Sequence, residues 1–497
     1  MEIIPKIIIP EEVKFLIKKL QTKNYGAYIV GGCVRDILRG VEPLDWDIAT
    51  NAKPEEIGKF FLKSFADNRF GTVTVLTESQ NERLKEIEIT PFRIDEKYSD
   101  KRHPDAIKWA KTIGEDLARR DFTINAIAAE WRPNLQKIKI IDPFDGQKDL
   151  ENKIIKAVGN PDERFKEDAL RLMRAIRFAV ILGPKLWEIE KKTAEAIIKN
   201  SDLLAYISKE RIRDELLKII NSLNGAKGIE ILRRFGLLKH IIPELEKGFN
   251  IQQNKHHIYQ IYGHSLLSLN YACLKNFSEE IRLAALLHDI GKPQTKRGEG
   301  PNATFYNHEI VGEKITAEIL RRLKFPKKKI EKIAKLVRCH LFYYNVGEVG
   351  DSSVRRLLRK IGQGDDFEDL LKVRMCDRIG SGVPKAEPYK LRHLKYVAEK
   401  VSQDPISAKM LKINGYDIMK ILKIPPGPKI GKILDYLLCL VLTDPKKNEK
   451  EFLKKEVEKL AELEDEKLKK LAQKSKEEIE KIETKRDEMT KKKYWVT

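Results

Sequence analysis

Cysteine is scarce in this sequence. None of the five, Cys33, Cys273, Cys339, Cys376 and Cys439, lies near enough to another to suggest a zinc knuckle or a disulfide framework. Disulfide-stapled classes are thereby excluded, and a reducing cytoplasm is expected. Long apolar runs are missing too, since no stretch approaches the roughly 20 residues that span a bilayer. The start, Met-Glu-Ile-Ile-Pro-Lys, lacks the basic-then-apolar layout of a signal peptide, so a soluble chain without membrane attachment is expected. No fixed period recurs, which excludes solenoids and propellers. Acidic residues are outnumbered, 75 against 96 Lys and Arg, leaving a formal charge of +21. Such a surplus draws polyanions by releasing their condensed counterions. A solvated Lys- and Glu-rich surface would account for the charge as well, so motifs must decide.

What is there suits folded cores: 41% of residues are hydrophobic and 34% charged. A chain of 497 residues exceeds one compact core, and about two to four domains are expected. The first 140 residues mix helical stretches with β-rich runs, namely Tyr28-Ile29-Val30, Thr72 to Leu76, Ile87 to Thr90 and Ile138 to Ile141. From about residue 160 apolar residues recur at three- and four-residue spacing, the signature of helices. Asp142-Pro143-Phe144-Asp145-Gly146 is the turn between the two regimes. The expected class is α+β, with a small mixed-sheet head followed by an all-helical body. Residues 446–497 are dominated by Lys and Glu, with a sparse stripe (Leu453, Val457, Leu460, Leu468, Leu471, Ile479, Ile482) that reads as a long exposed helix or weak coiled coil.

Gly31-Gly32-Cys33-Val34-Arg35-Asp36 directly follows a strand and opens a helical pattern. Glycines let backbone approach phosphates, helix-start amides favour anions, and the Arg35 fork suits triphosphate oxygens. In Leu44-Asp45-Trp46-Asp47-Ile48, a strand would turn Asp45 and Asp47 to one face. Two converging carboxylates repel unless a cation lies between them, and hard oxygen ligands suit Mg²⁺. Glu88, in a later β-run, is the candidate third carboxylate. In-line attack of a hydroxyl on an α-phosphate is served by two metals roughly 3.5–4 Å apart. An Asp-x-Asp alone would more often be a solvated pair on an edge strand; with the glycine turn and Glu88 it reads as catalytic.

These segments, together with Phe70-Gly71-Thr72-Val73, Glu88-Ile89-Thr90-Pro91-Phe92-Arg93, Arg119-Arg120-Asp121-Phe122-Thr123-Ile124-Asn125-Ala126 and Glu167-Asp168-Ala169-Leu170-Arg171, stand in one order. Over roughly residues 25–245 the chain resembles bacterial CCA-adding tRNA nucleotidyltransferases, in the class that also holds bacterial poly(A) polymerases. The resemblance implies a polymerase-β-like head (1–145), a helical neck and body for nucleotide selection and RNA binding (146–248), and a tRNA-contacting tail (386–445). It implies that Gly32 and Arg35 contact the nucleotide and that Arg120, Asp121 and Asn125 hold ribose and phosphates. Tyr98 to Asp105 resembles the loop such enzymes use when switching from C to A.

Asp168 and Arg171, three apart on a helical stretch, are expected to share a face that Arg174 and Arg177 continue. Cytosine and adenine both present an exocyclic amine beside a ring-nitrogen acceptor. A carboxylate accepts from the amine while a guanidinium donates to the ring nitrogen. Uracil and guanine put a carbonyl where the amine should be, a buried mismatch costing about 1–3 kcal/mol per group. Read in isolation, the pair would be an exposed helix ion pair.

Leu286-Leu287-His288-Asp289-Ile290-Gly291-Lys292, with His264 before it and Asp377 after, resembles the signature of the His–Asp phosphohydrolase superfamily. Adjacent His and Asp at a helix end both reach one metal, and His308 and His340 are candidates for a second ion. Imidazoles favour a transition metal such as Ni²⁺, Mn²⁺ or Co²⁺ here, in a domain spanning 249–385. His240 and His393 read as core residues instead. Ile413 to Asp417 and Pro426 to Gly431 resemble the helical segment that meets the tRNA elbow in such enzymes.

The expectation is template-independent addition of CCA to tRNA from CTP and ATP, with possible phosphohydrolase activity. Two alternatives stay open: a poly(A) polymerase or a partial CC- or A-adding enzyme, and a phosphohydrolase whose degenerate head only binds RNA. Asn68-Arg69-Phe70-Gly71-Thr72 lacks the Arg-rich stretch of the poly(A) polymerases, and all three head carboxylates are present.

Overall fold

Alternating apolar residues make the strands of the head. Ile29, Ile48, Ile87, Ile89 and Val73 are at most 1% exposed and pack on the helix Glu11–Gln21. Val30, Ala49, Phe92 and Ala128 line the opposite face with Leu117. Both faces of the sheet are therefore covered, as a mixed sheet needs. The computed structural model describes residues 9–67, 71–96, 106–133, 137–253, 258–402 and 408–496.

The seven strands lie in the order Ser64–Asp67, Thr72–Leu76, Glu86–Pro91, Asp47–Thr50, Ala27–Val30, Ala128–Arg132, Lys137–Ile141. All neighbours are antiparallel except Asp47–Thr50 with Glu86–Pro91, whose parallel register sets Asp47 beside Glu88. The expected α+β class is what is found: this sheet, then helices.

The chain divides into two compact units, 1–341 with 372–384, and 342–371 with 385–497. In the first, Leu170–Ile181 packs on Lys209–Ile220 and Gly225–Arg234, and Gly225–Arg234 on Ile261–Leu274. The second unit has its own core of Ile413, Ile418, Ile433, Leu437, Leu453 and Val457, all at most 1% exposed. The charged end thus differs from its expected form. It is two helices, Lys450–Ala461 and Asp465–Tyr494, and the first part of its stripe, Leu453, Val457, Leu460 and Leu468, is buried, while Leu471, Ile479 and Ile482 stay partly exposed. A stripe too sparse for a coiled coil suffices when it needs to cover only one neighbouring face. No helix among the described residues is long and apolar enough to cross a membrane.

Candidate active sites

Gly31 directly follows the strand Ala27–Val30 with φ +76°, a positive-φ conformation that glycine adopts at little cost. A Cβ there would lie 2.8 Å from Arg120 Nη1 and 3.7 Å from Asp47 Oδ2. The absence of a side chain lets both groups meet the turn from which the helix Gly32–Leu38 starts. The strand expected to carry both carboxylates begins only at Asp47, so Asp45 lies in the preceding bend and is exposed. Trp46 between them is 5% exposed and seated in the head core, which anchors both neighbours. Convergence arises from a turn beside a strand rather than from strand alternation. Burial, then the nearby charge of Glu88, push the Asp47 carboxyl up to about 6; Arg120 opposes this and Asp45 adds to it. Asp47, with the negative charges of Glu88 and Asp45 close by, belongs to a carboxylate donor set suited to hard divalent cations.

Arg35 donates to Asn125 Oδ1 at 2.8 Å, Asn125 donates to Asp121 at 3.1 Å, and Arg174 donates to Asp121 at 2.7 Å. Burial alone would raise Asp121, but Arg174 and Arg171 hold it well below the usual carboxylate range. Arg177 is pushed down to about 10 by burial, offset by Glu215 at 2.8 Å. Its guanidinium stacks 4.2 Å from the centre of the Phe178 ring. Arg35, Asp121, Asn125, Arg171, Arg174 and Arg177 border one cavity of about 750 Å³ that also takes in Gly31, Asp45, Asp47, Arg120 and Asp168. The sequence-predicted nucleotide residues are thus brought together.

The neck departs from the expected single helix. Pro161–Glu167 ends at Asp168, whose φ of −137° and ψ of 104° are extended, and a new helix runs Leu170–Ile181. Asp168 therefore does not share a helical face with Arg171. Its Oδ1 accepts from the Leu170 amide at 3.0 Å, an Asx-type cap that stops one helix and starts the next. Arg171 is paired with Glu167 at 2.6 Å, and Asp168 with Arg211 at 2.9 Å. Arg211 and Lys218 also border the cavity and were missed in the sequence. Their spacing of seven, two helical turns, puts both on one face of Lys209–Ile220, a signal indistinguishable from an ordinary charged helix surface. Asn68 to Phe70 and the Tyr98 to Asp105 loop lie outside the described residues.

The second cluster is buried. His288, at the end of Glu279–Leu287, donates from Nδ1 to the Ala285 carbonyl at 2.8 Å. His308 and His340 do the same to Phe305 and Val337, each at 2.7 Å. These contacts fix the orientation of each ring and turn its Nε2 toward the site. Two sets of three candidate ligand atoms lie within 4.8 Å of one another: His264, His288 and Asp377; Asp289, His308 and His340. Sequence placed Asp289 with the first set alone. Its Oδ2 lies 3.2 Å from His264 and its Oδ1 3.4 Å from His308, so it faces both. Lys292, 5% exposed, pairs with Asp289 Oδ2 at 2.7 Å. Burial favours neutral imidazole, but Asp289 and Asp377 raise His288 to about 10, while burial and His288 depress His340 to about 3. Four imidazoles and two carboxylates, all buried, fit divalent cations with nitrogen affinity. His240 and His393 lie elsewhere, against Asp202 and Tyr344.

Comparison with known proteins bears on both clusters. Residues 27–156 match the family described as Poly A polymerase head domain, 187–249 that of a probable RNA and SrmB-binding site of polymerase A, and 261–413 the HD domain. The chain is 34% identical over 462 residues to the CCA-adding enzyme of Ligilactobacillus salivarius (strain UCC118), covering 91% of this chain and 98% of that protein. It is 32% identical over 438 residues to the CCA-adding enzyme of Geobacillus sp. (strain WCH70), covering 88% and 93%. The crystal structure of the Bacillus stearothermophilus CCA-adding enzyme in complex with CTP superposes with a TM-score of 0.55 at 27% identity, over 91% of this chain and 98% of that one. With a nucleotidyltransferase head and an HD domain on one chain, and relatives matched over nearly their full length, the protein belongs to the family of CCA-adding enzymes.

Proposed function

We propose that the chain adds C, C and A to the 3′ end of tRNA from CTP and ATP, without a nucleic-acid template, in the cytoplasm. The observation that carries this reading is the single cavity bordered by the carboxylate turn and by Asp168 and Arg171. Reacting groups and base-reading groups need to face one bound nucleotide for selection to act on the step that is catalysed. Asp45, Asp47 and Glu88 would hold two Mg²⁺ ions, whose charge supports hydroxyl attack and pyrophosphate departure. Around them, Gly31 and Gly32 leave room for phosphates, Arg35, Arg120 and Asn125 hold the sugar and triphosphate, and Arg174 and Arg177 add positive charge. Asp168 accepts from the amine of cytosine or adenine, and Arg171 donates to the ring nitrogen. Exposed Lys412, Lys420 and Lys423 of the second unit fit a positioning contact with tRNA phosphates. Asp45→Ala and Asp47→Ala should each lower nucleotide addition by more than about a hundredfold while tRNA binding survives, because affinity is spread over many basic contacts. Addition kept within about tenfold by either variant would sink the assignment.

A second activity has its own observation, the buried four-histidine cluster with Asp289 facing both halves. We read it as a divalent-metal phosphohydrolase site for cyclic or terminal phosphates, using Ni²⁺, Mn²⁺ or Co²⁺.

A further inference from the structure

We infer that Arg211 is a positioning residue for base choice: it locks the Asp168 carboxylate into the one orientation that reads an amine. This rests on the proposed reading of the base by Asp168 and Arg171. The contact is a fork, Nη2 to Oδ2 at 2.9 Å and Nη1 to Oδ1 at 3.3 Å, reaching across 43 positions of sequence. Asp168 Oδ1 also accepts the Leu170 amide at 3.0 Å.

A carboxylate offers about four acceptor directions. Three are taken, two on Oδ1 and one on Oδ2, and the remaining direction is on Oδ2. A free aspartate rotates about its side-chain bonds and can turn either oxygen toward a base. One held by a planar fork and a backbone amide cannot, and it presents only acceptors. A base amine finds its partner there. The carbonyl of uracil or guanine meets a fixed acceptor that has no way to turn aside, which is how rigidity becomes discrimination.

The fork has a firm base. Arg211 stands on Lys209–Ile220, where Ile212, Leu216, Ile219 and Ile220 are 0% exposed. One turn on, Glu215 holds Arg177 at 2.8 Å. Arg213 donates to the Lys324 carbonyl and stacks 6.0 Å from the Phe325 ring centre, tying the helix to the HD domain. The helix that aims Arg211 is thus fixed from more than one side. The Arg211 side chain is 25% exposed, so replacing it opens no buried hole.

The test compares Arg211→Gln, Arg211→Lys and Asp168→Ala in the full-length enzyme, on tRNA lacking CCA, with CTP and UTP measured separately. Arg211→Gln should lower the CTP-over-UTP ratio of kcat/KM by at least about tenfold, mostly through a higher KM for CTP, and Arg211→Lys should recover only part of it. A parent-like ratio in Arg211→Gln, with discrimination lost in Asp168→Ala, overturns the role of Arg211 and leaves the base reading standing. A parent-like ratio in Asp168→Ala overturns the base reading, and this inference with it. Equal losses for CTP and UTP in Arg211→Gln, with a lowered melting temperature, would show a structural role and also overturn it.

Discussion

Lowering pH should weaken the head's hold on Mg²⁺ in a window set by Asp47. Its carboxyl is raised to about 6 by burial and by Glu88 and Asp45. Protons and metal compete for the same oxygens, and the metal needs the ionised form. Asp47 is about one-tenth protonated at pH 7 and about nine-tenths at pH 5. The Mg²⁺ concentration giving half-maximal addition should therefore rise about tenfold over that interval. The sign in stability is the reverse of the common carboxylate case. Because the folded value is raised, metal-free protein should gain stability from this group as pH falls from about 7 to 4, while Asp121, held low, contributes above the ordinary range and loses its contribution in acid. Glu88→Gln removes one repelling charge and should shift the Asp47 window toward lower pH. The assay is single-turnover CMP addition across a Mg²⁺ series at each pH, with enzyme in excess over tRNA. A half-saturating concentration that changes less than about twofold between pH 7 and 5 would refute the reasoning.

The other outcomes follow from the same geometry. Gly31→Ala must place a Cβ 2.8 Å from Arg120 Nη1 at a φ of +76°, so addition should fall by at least about tenfold with the HD activity unchanged, read by parallel assays. His288→Ala with Asp289→Ala should abolish Ni²⁺- or Mn²⁺-supported hydrolysis of 2′,3′-cyclic phosphates and leave nucleotide addition near the parent rate. Loss of addition in that folded double variant would instead show the two sites to be coupled. Leu437→Ala, at a site 0% exposed, should destabilise the second unit by about 2–5 kcal/mol, read by denaturant unfolding.

Much of both sites was legible because their residues recur at short spacings. The glycine turn, Asp45, Asp47 and the run His288-Asp289 carry their chemistry in adjacent positions, and four β-runs marked strands that the sheet contains. What was illegible depends on long-range pairing. The strand begins at Asp47 because its partners do, Ile29 opposite Ile48 and Glu88 beside Asp47, and no local signal sets that start. The break at Asp168 looks helical in sequence, since Glu167 to Arg171 contains no glycine or proline; it comes from a side-chain cap and from Arg211 on a later helix. The facing of Asp289 toward two groups of histidines is a matter of side-chain orientation, which spacing does not encode. How the end of the chain packs was illegible for a related reason. Leu453 and Val457 make a weak stripe alone and a full core once Ile433 and Leu437 are beside them.

The most direct test of the account is the sequence of the product. The full-length protein would be incubated with tRNA lacking its 3′ CCA, Mg²⁺ and all four nucleoside triphosphates, and the extended ends sequenced. Addition of C, C and A followed by arrest is the predicted result. Runs of A, arrest after the second C, or no extension by the folded protein would contradict it.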